Sequence, residues 1–180
     1  VPIFENIPYD LIEDVKEICR KEFGFKIYKR QTFGLGTSVQ MYITCKPLAD
    51  LFEYWGCGRT SLHKTIPGFV FGLNEKKICA LLQGMYSGDG SFSSTKRAGN
   101  MIRYFSTSKK LVEDVGYALL AVGIVCRFHD RPIESGKRCY TAEIKKREFV
   151  EKFLKEIGFT HKEPQIQKKA FSHSIDDSVC

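Results

Sequence analysis

Apolar and polar positions alternate along this chain with two periods. In YDLIEDVKEICRKEF (9–23), Leu11, Ile12, Val15, Ile18 and Cys19 recur at the spacing of one helical face. FKIYKRQ and SVQMYIT then alternate with period two around the glycine-containing link TFGLGT, which predicts a hairpin. KPLADLFEYW reads as a second helix with Pro47 in its first turn. After HKTIPGFVFGL comes the helix NEKKICALLQGMY, with Asn74 as its N-cap. Two strands follow, SFSST and NMIRYFST. Then come the helix KKLVEDVGYALLAVG, the hairpin VCRFHDR to KRCYTAEI, and the helix REFVEKFLKEIGF.

The pattern repeats. LIEDV at 11–15 returns as LVEDV at 111–115, Gly24 as Gly123, QMYITCK as CYTAEIK, and His63-Lys64 as His161-Lys162, each about 100 residues later. Four matches in order describe two copies of an α-β-β-α-β-β-α unit. This predicts an α+β protein with a first half at 1–72, a second at 73–160 and a polar C-terminal extension at 161–180. The first half lacks its opening helix and first strand. The offset would place the counterpart of LLQGMYSGDG about eleven residues ahead of Val1, so the chain is expected to be a piece of a longer protein.

Composition narrows the partners. A net charge of +7 favours a polyanion, although many basic proteins bind none. No apolar run approaches the roughly 18 residues that cross a membrane, and the N-terminus lacks a basic-then-apolar layout, so an intracellular (cytoplasmic) protein with no membrane partner is expected. Seven cysteines without a CxxC pair suggest buried free thiols in a reducing compartment. The four histidines have no metal-ligand spacing. No glycine-rich phosphate loop precedes a helix, and no local Ser/His/Asp or Cys/His arrangement is visible.

LQGMYSGDG (82–90) resembles the nine-residue signature of the LAGLIDADG homing endonucleases. Leu82, Gly84, Asp89 and Gly90 match, and Met85 and Tyr86 are apolar where the pattern is apolar. Ser87 stands where an acid is usual, and Gly88 where alanine is. With the αββαββα order, the duplication and the stretch HKTIPGFVF ahead of the motif helix (74–90), the chain is most similar to the endonuclease domains carried inside inteins. That resemblance implies two pseudo-symmetric halves with curved antiparallel sheets. Their motif helices pack through small residues, here Gly84 and Gly88. Each helix delivers a carboxylate to a shared divalent-metal site, normally Mg²⁺ or else Mn²⁺. Asp89, with Gly88, would be the metal position of this half. Lys64 and Lys162, in matching places of the two copies, would be the basic auxiliaries. Read without the resemblance, Asp89 is equally a solvated acid at an ordinary glycine-stopped helix end, and both lysines are surface residues.

The resemblance also makes the sheets the DNA-reading surface, and period two then selects the outward side chains. Ser91, Ser93, Thr95 and Arg97 alternate with Phe92. Arg103 is placed outward because an unpaired buried arginine is costly. Arg127, His129 and Arg131 alternate with Cys126 and Phe128. Thr141 lies on the closing strand between Cys139 and Glu143. The first copy offers Lys26, Tyr28 and Arg30, then Gln40, Tyr42 and Thr44. Arginine suits guanine and glutamine suits adenine in the major groove, whereas a half-exposed sheet meeting water has the same polar alternation.

The function expected is sequence-specific, metal-dependent hydrolysis of double-stranded DNA at a long near-palindromic site. The enzyme would be a pseudo-twofold monomer if the upstream half is present, otherwise a homodimer through 74–90. Ser87 and the single visible acid keep open a second reading, a fold that binds nucleic acid and no longer cuts, in the manner of maturases or regulators. A splicing element is a third.

Overall fold

The computed structural model describes residues 9–32, 38–95, 99–133 and 136–160, except for the side chains at 9–11 and 29–42. The chain divides into two compact units, Val1–Trp55 and Gly56–Cys180. The halves expected from the repeat, divided at 72/73, are a different division of the chain from these units. Residues 56–72 go with the second unit because hydrogen bonds to Ser108 and Asp114 tie them to it.

The first unit holds α1 (Tyr9–Phe23), β1 (Tyr28–Thr32), β2 (Ser38–Tyr42) and α2 (Lys46–Tyr54). β1 and β2 are antiparallel, and Pro47 opens α2 as expected. Cys19, Ile43 and Leu48 form a small buried cluster with Val15, Phe25, Ile27 and Cys45 against it.

The second unit is a complete αββαββα. It runs α3 (Glu75–Asp89), β3 (Gly90–Thr95), β4 (Gly99–Ser106), α4 (Lys109–Ala121), β5 (Arg127–Pro132), β6 (Arg138–Ile144) and α5 (Arg147–Glu156). A 3₁₀ turn at Gly68–Gly72 precedes it. Its antiparallel sheet has the order β3-β4-β6-β5. One face is lined by Phe92, Ile102, Tyr104, Tyr140, Ala142 and Ile144, which join the core with the three helices. Tyr86, Phe153 and Phe159 fill its centre, with ring centroids 4.6 Å apart for Tyr86–Phe153 and 5.5 Å for Phe153–Phe159.

The repeat read from the sequence is present element by element. α1, β1, β2 and α2 correspond to α4, β5, β6 and α5, and Gly24 and Gly123 share a left-handed backbone after their helices, φ 68° and 73°. Among the described residues the first half therefore supplies the second part of the unit, as the offset predicted. No helix of the described residues is long and apolar enough to cross a membrane.

Candidate nucleic-acid interface and hydrolytic site

α3 begins where the sequence placed it, with the Asn74 side chain accepting from the Lys77 amide at 3.1 Å. Ile78, Leu82 and Tyr86 recur every fourth residue and are buried. Gln83 and Ser87 tie the helix to the chain after α5. Gln83 Nε2 donates to the Ile157 carbonyl at 2.8 Å, Ser87 Oγ donates to the Gln83 carbonyl at 2.7 Å, and the Thr160 amide donates to Ser87 Oγ at 2.9 Å. Ser87 is therefore a buried structural pin. An acid in its place would be enclosed, apart from the exposed Asp89.

The other side of α3 is open. Gly84 and Gly88 are exposed, and a methyl group added to either would meet nothing within 4 Å. In the last turn Asp89 is exposed too, and no described residue forms a hydrogen bond or ion pair with its carboxylate. Burial, and secondarily the Asp89 charge, push the Tyr104 phenol well above its ordinary range.

Helix passes to strand without a loop at Gly90. Its amide donates to the Tyr86 carbonyl, and a Cβ there would stand 2.4 Å from that oxygen and 2.8 Å from Tyr86 Cα. Backbone cannot yield as a side-chain tip can. Gly90→Ala is expected to destabilise the second unit by about 2 kcal/mol, read as a lowered midpoint in urea with an unchanged slope.

Lys64 sits in a loop that folds back on itself at Gly58, where φ is +78° and a Cβ would be 1.9 Å from the His63 carbonyl oxygen. Thr60 Oγ1 and His63 Nδ1 are 2.8 Å apart inside the loop. α4 then fixes it from outside. Ser108 Oγ donates to the Lys64 carbonyl at 2.6 Å, and Thr107 Oγ1 donates to that of Ser61 at 3.2 Å. The buried Asp114 carboxylate accepts from the Ile66 amide at 3.1 Å, from the Thr65 hydroxyl and from Lys110 Nζ. The Lys64 side chain itself is exposed. Gly90 pairs with Tyr104 in β4 while Ser108 follows that strand, so the Asp89 and Lys64 segments are anchored around the same end of β4.

The outward face of the sheet bears Ser91, Ser93, Thr95, Met101, Arg103 and Phe105 on β3 and β4. Arg127, His129 and Arg131 on β5 oppose Glu143, Thr141 and Cys139 on β6. The parity expected for Arg103 holds, with Ile102 and Tyr104 buried on either side of it. It is not solitary, since its Nε donates to Glu143 Oε2 at 2.9 Å. His129 Nε2 lies 3.5 Å from Glu143 Oε1. Burial alone would raise the Glu143 pKa, but the hydrogen bond and charge of Arg103, with His129 and Lys145, hold it below the ordinary range.

Thr141 departs from expectation as a base contact. It lies on the outward face but is 7 % exposed, because β6 is an inner strand and Thr141 is paired with Phe105 on one side and His129 on the other. In the first unit Lys26, Tyr28 and Thr44 are exposed, and the register pairs Tyr28 with Tyr42 and Arg30 with Gln40. The side chains of Arg30, Gln40 and Tyr42 lie outside the described residues, as do Arg97 and Lys162. Cys19, Cys45, Cys57, Cys79, Cys126 and Cys139 are free thiols, of which Cys19 is buried and the others half-buried, less enclosed than expected.

The Asp89 oxygens are donors of the kind that a hard divalent cation takes, but such an ion needs several more oxygens. No group of three or more His, Cys, Asp or Glu among the described residues could hold a metal. The Asp89 carboxylate by itself could supply only part of the oxygen set that such an ion takes.

Residues 76–158 match a family model described as LAGLIDADG-like domain. The chain is 26 % identical over 144 residues to the RNA polymerase subunit Rpo1C of Methanocaldococcus jannaschii, covering 80 % of this chain and 16 % of that protein. It is 29 % identical over 103 residues to a DNA gyrase polypeptide of Mycobacterium gordonae, 57 % of this chain and 18 % of the relative. The chain thus spans less than a fifth of either relative. Among solved structures it shares its fold with I-DmoI in complex with DNA and Mn, at TM-score 0.59 and 19 % identity, over 88 % of this chain and 81 % of that one.

Proposed function

We propose, on the premise that the chain belongs to the LAGLIDADG family through residues 76–158, that it is part of a site-specific endonuclease of double-stranded DNA. The observation that carries the reading is Asp89. This exposed carboxylate, without a hydrogen bond or ion pair among the described residues, stands at the open end of α3, from which Gly90 leads directly into the strand bearing the polar outward face. I-DmoI, whose fold the chain shares, has been solved with DNA and with Mn.

In this mechanism Asp89 supplies one carboxylate to a divalent cation, Mg²⁺ or Mn²⁺. When bound, the cation activates water and stabilises the leaving oxygen of a phosphodiester. Gly88, exposed beside Asp89, leaves room for the ion and the phosphate. Lys64 presents a cation toward the charge that develops in the transition state, and Lys162 is assigned the same role in the other half-site. Arg127, His129 and Arg131, with Ser91 and Ser93, are assigned to contacts with the duplex, and the repeat assigns the same role to Lys26, Tyr28, Thr44, Arg30, Gln40 and Tyr42 of the first unit. Cutting both strands needs a second acid. The repeat assigns it to a preceding motif helix, with a second copy docking through 74–90 as the alternative source. Gly84 and Gly88, where even an added methyl group would meet nothing, suit the approach of either helix.

The named relatives support an inserted domain. RNA polymerase and gyrase have unrelated activities, so a segment common to both carries neither. We read the chain as the kind of domain that an intein carries, in an intracellular protein.

The single carboxylate favours one rival, a family member that binds nucleic acid without cutting. Ser87 lends that rival no weight, because its side chain is enclosed. Incubation with a randomised duplex library and Mg²⁺ or Mn²⁺, followed by capture of new double-strand ends, separates the two. Cation-dependent ends at one sequence support the nuclease. Salt-sensitive retention of duplex without new ends, in preparations both with and without the upstream segment, favours the rival.

A further inference from the structure

Glu143 is the one carboxylate among the described outward positions of the four-stranded sheet. It stands in a row that crosses every strand. Ser91 pairs with Arg103, Arg103 with Glu143, and Glu143 with Arg127. Ser91 follows Asp89 and Gly90, so the row starts beside the hydrolytic site. A negative charge on a surface that meets a polyanion opposes binding, and its reason must therefore be something other than affinity.

The geometry supplies one. Glu143 Oε2 takes the Arg103 Nε–H at 2.9 Å, and Oε1 faces His129 at 3.5 Å. Nε–H is the side-on member of the guanidinium's donors, and using it leaves both terminal amino groups available. Glu143 is the partner that Arg103 takes among the described residues, and the contact runs through Nε. The two terminal amino groups form the fork that takes guanine O6 and N7 in the major groove. A guanidinium held by one edge has its plane set before DNA arrives, which reduces the ordering cost of binding. Arg103 is otherwise a long side chain on a half-exposed strand, equally able to reach a phosphate.

We propose that Glu143 is a positioning residue for sequence discrimination, fixing the Arg103 guanidinium so that its terminal amino groups read a guanine. The proposal rests on the DNA-binding reading above. It assigns Arg103 to base recognition and makes Glu143 an internal counter-charge that lowers indiscriminate attraction to phosphate.

The full chain and its Glu143→Ala, Glu143→Gln and Arg103→Ala variants are each used to select duplexes from a pool with a randomised centre, at one salt concentration. Arg103→Ala is expected to cut the preference for guanine at one position by roughly tenfold to a hundredfold. Glu143→Ala relaxes the same position by at least about fivefold. Glu143→Gln preserves the preference, because its amide oxygen still accepts from Nε. Both Glu143 changes remove the same charge. If they act alike, tightening binding to every sequence with no loss of preference, the proposal is overturned.

A second measurement needs no DNA. In proton–nitrogen correlation spectra the Arg103 Nε–H is expected to exchange slowly with water in the parent and in Glu143→Gln, and to be lost in Glu143→Ala. An identical signal in parent and Glu143→Ala overturns the positioning role whatever the duplexes do. A signal that behaves as expected, in a parent that selects no duplex, overturns the DNA reading and the discrimination role with it, while the side-chain geometry stands.

Discussion

Asp89→Asn is expected to reduce cutting by at least about a thousandfold, several kcal/mol of transition-state stabilisation, while leaving fold and duplex binding almost unchanged. The expectation has two parts. Asparagine keeps the shape and one oxygen but loses the charge that a hard divalent cation requires. The exposed carboxylate has no hydrogen bond or ion pair among the described residues, so its neutralisation should move stability by no more than about 0.5 kcal/mol. Binding should hold or tighten slightly, since a negative charge leaves the neighbourhood of phosphate. The assay compares parent and variant in the same cutting preparation, with thermal midpoint and salt-dependent affinity measured alongside. Cutting at the parental rate would remove Asp89 from the site. Lost cutting with a collapsed midpoint would make it a structural residue.

What the sequence allows depends on whether a feature is local. The helix ending in Asp89 is legible because its apolar spacing, its Asn74 cap and the Gly90 stop all lie within one stretch. The repeat is legible because two copies of one unit carry the same helix-terminal glycines and the same hairpin parity. Local patterns also give the outward placing of Arg103, through the cost of burying it alone.

Features that depend on strands or loops meeting across the fold are not legible. Glu143 stands in the sequence as one of a polar row, but its pairing with Arg103 comes from the β4–β6 register. The same register encloses Thr141, which alternation alone puts on the surface. Ser87 reads in sequence as a missing acid, and only the arrival of Thr160 shows that its position faces inward. The unit boundary falls before 56 because α4 holds the Lys64 loop, a contact between residues some 45 positions apart of a kind that periodicity does not carry. Asp114 belongs to the repeated LVEDV, where it marks the duplication without disclosing its work.

That work is the source of the largest stability effect expected. Asp114→Ala should destabilise the second unit by about 3 kcal/mol, lowering its thermal midpoint by roughly 15 °C. The side chain is 1 % exposed, and its removal strands the Ile66 amide and the Thr65 hydroxyl, donors that have left water and lose their acceptor. Lys110, the third partner, contributes little. Its side chain is 64 % exposed, so water replaces the lost contact, and Lys110→Ala should cost under about 1 kcal/mol. The contrast between the two variants is the test. Equal losses would mean that the ion pair, rather than the pinned loop, supplies the stability. The loop also carries Lys64, so Asp114→Ala studied well below its midpoint should loosen the segment that presents this lysine. Faster amide exchange at 64–66, with α3 and the sheet still protected, is the expected signature. Exchange that rises uniformly across the unit would instead place Asp114 in the global core, with no particular hold on the loop.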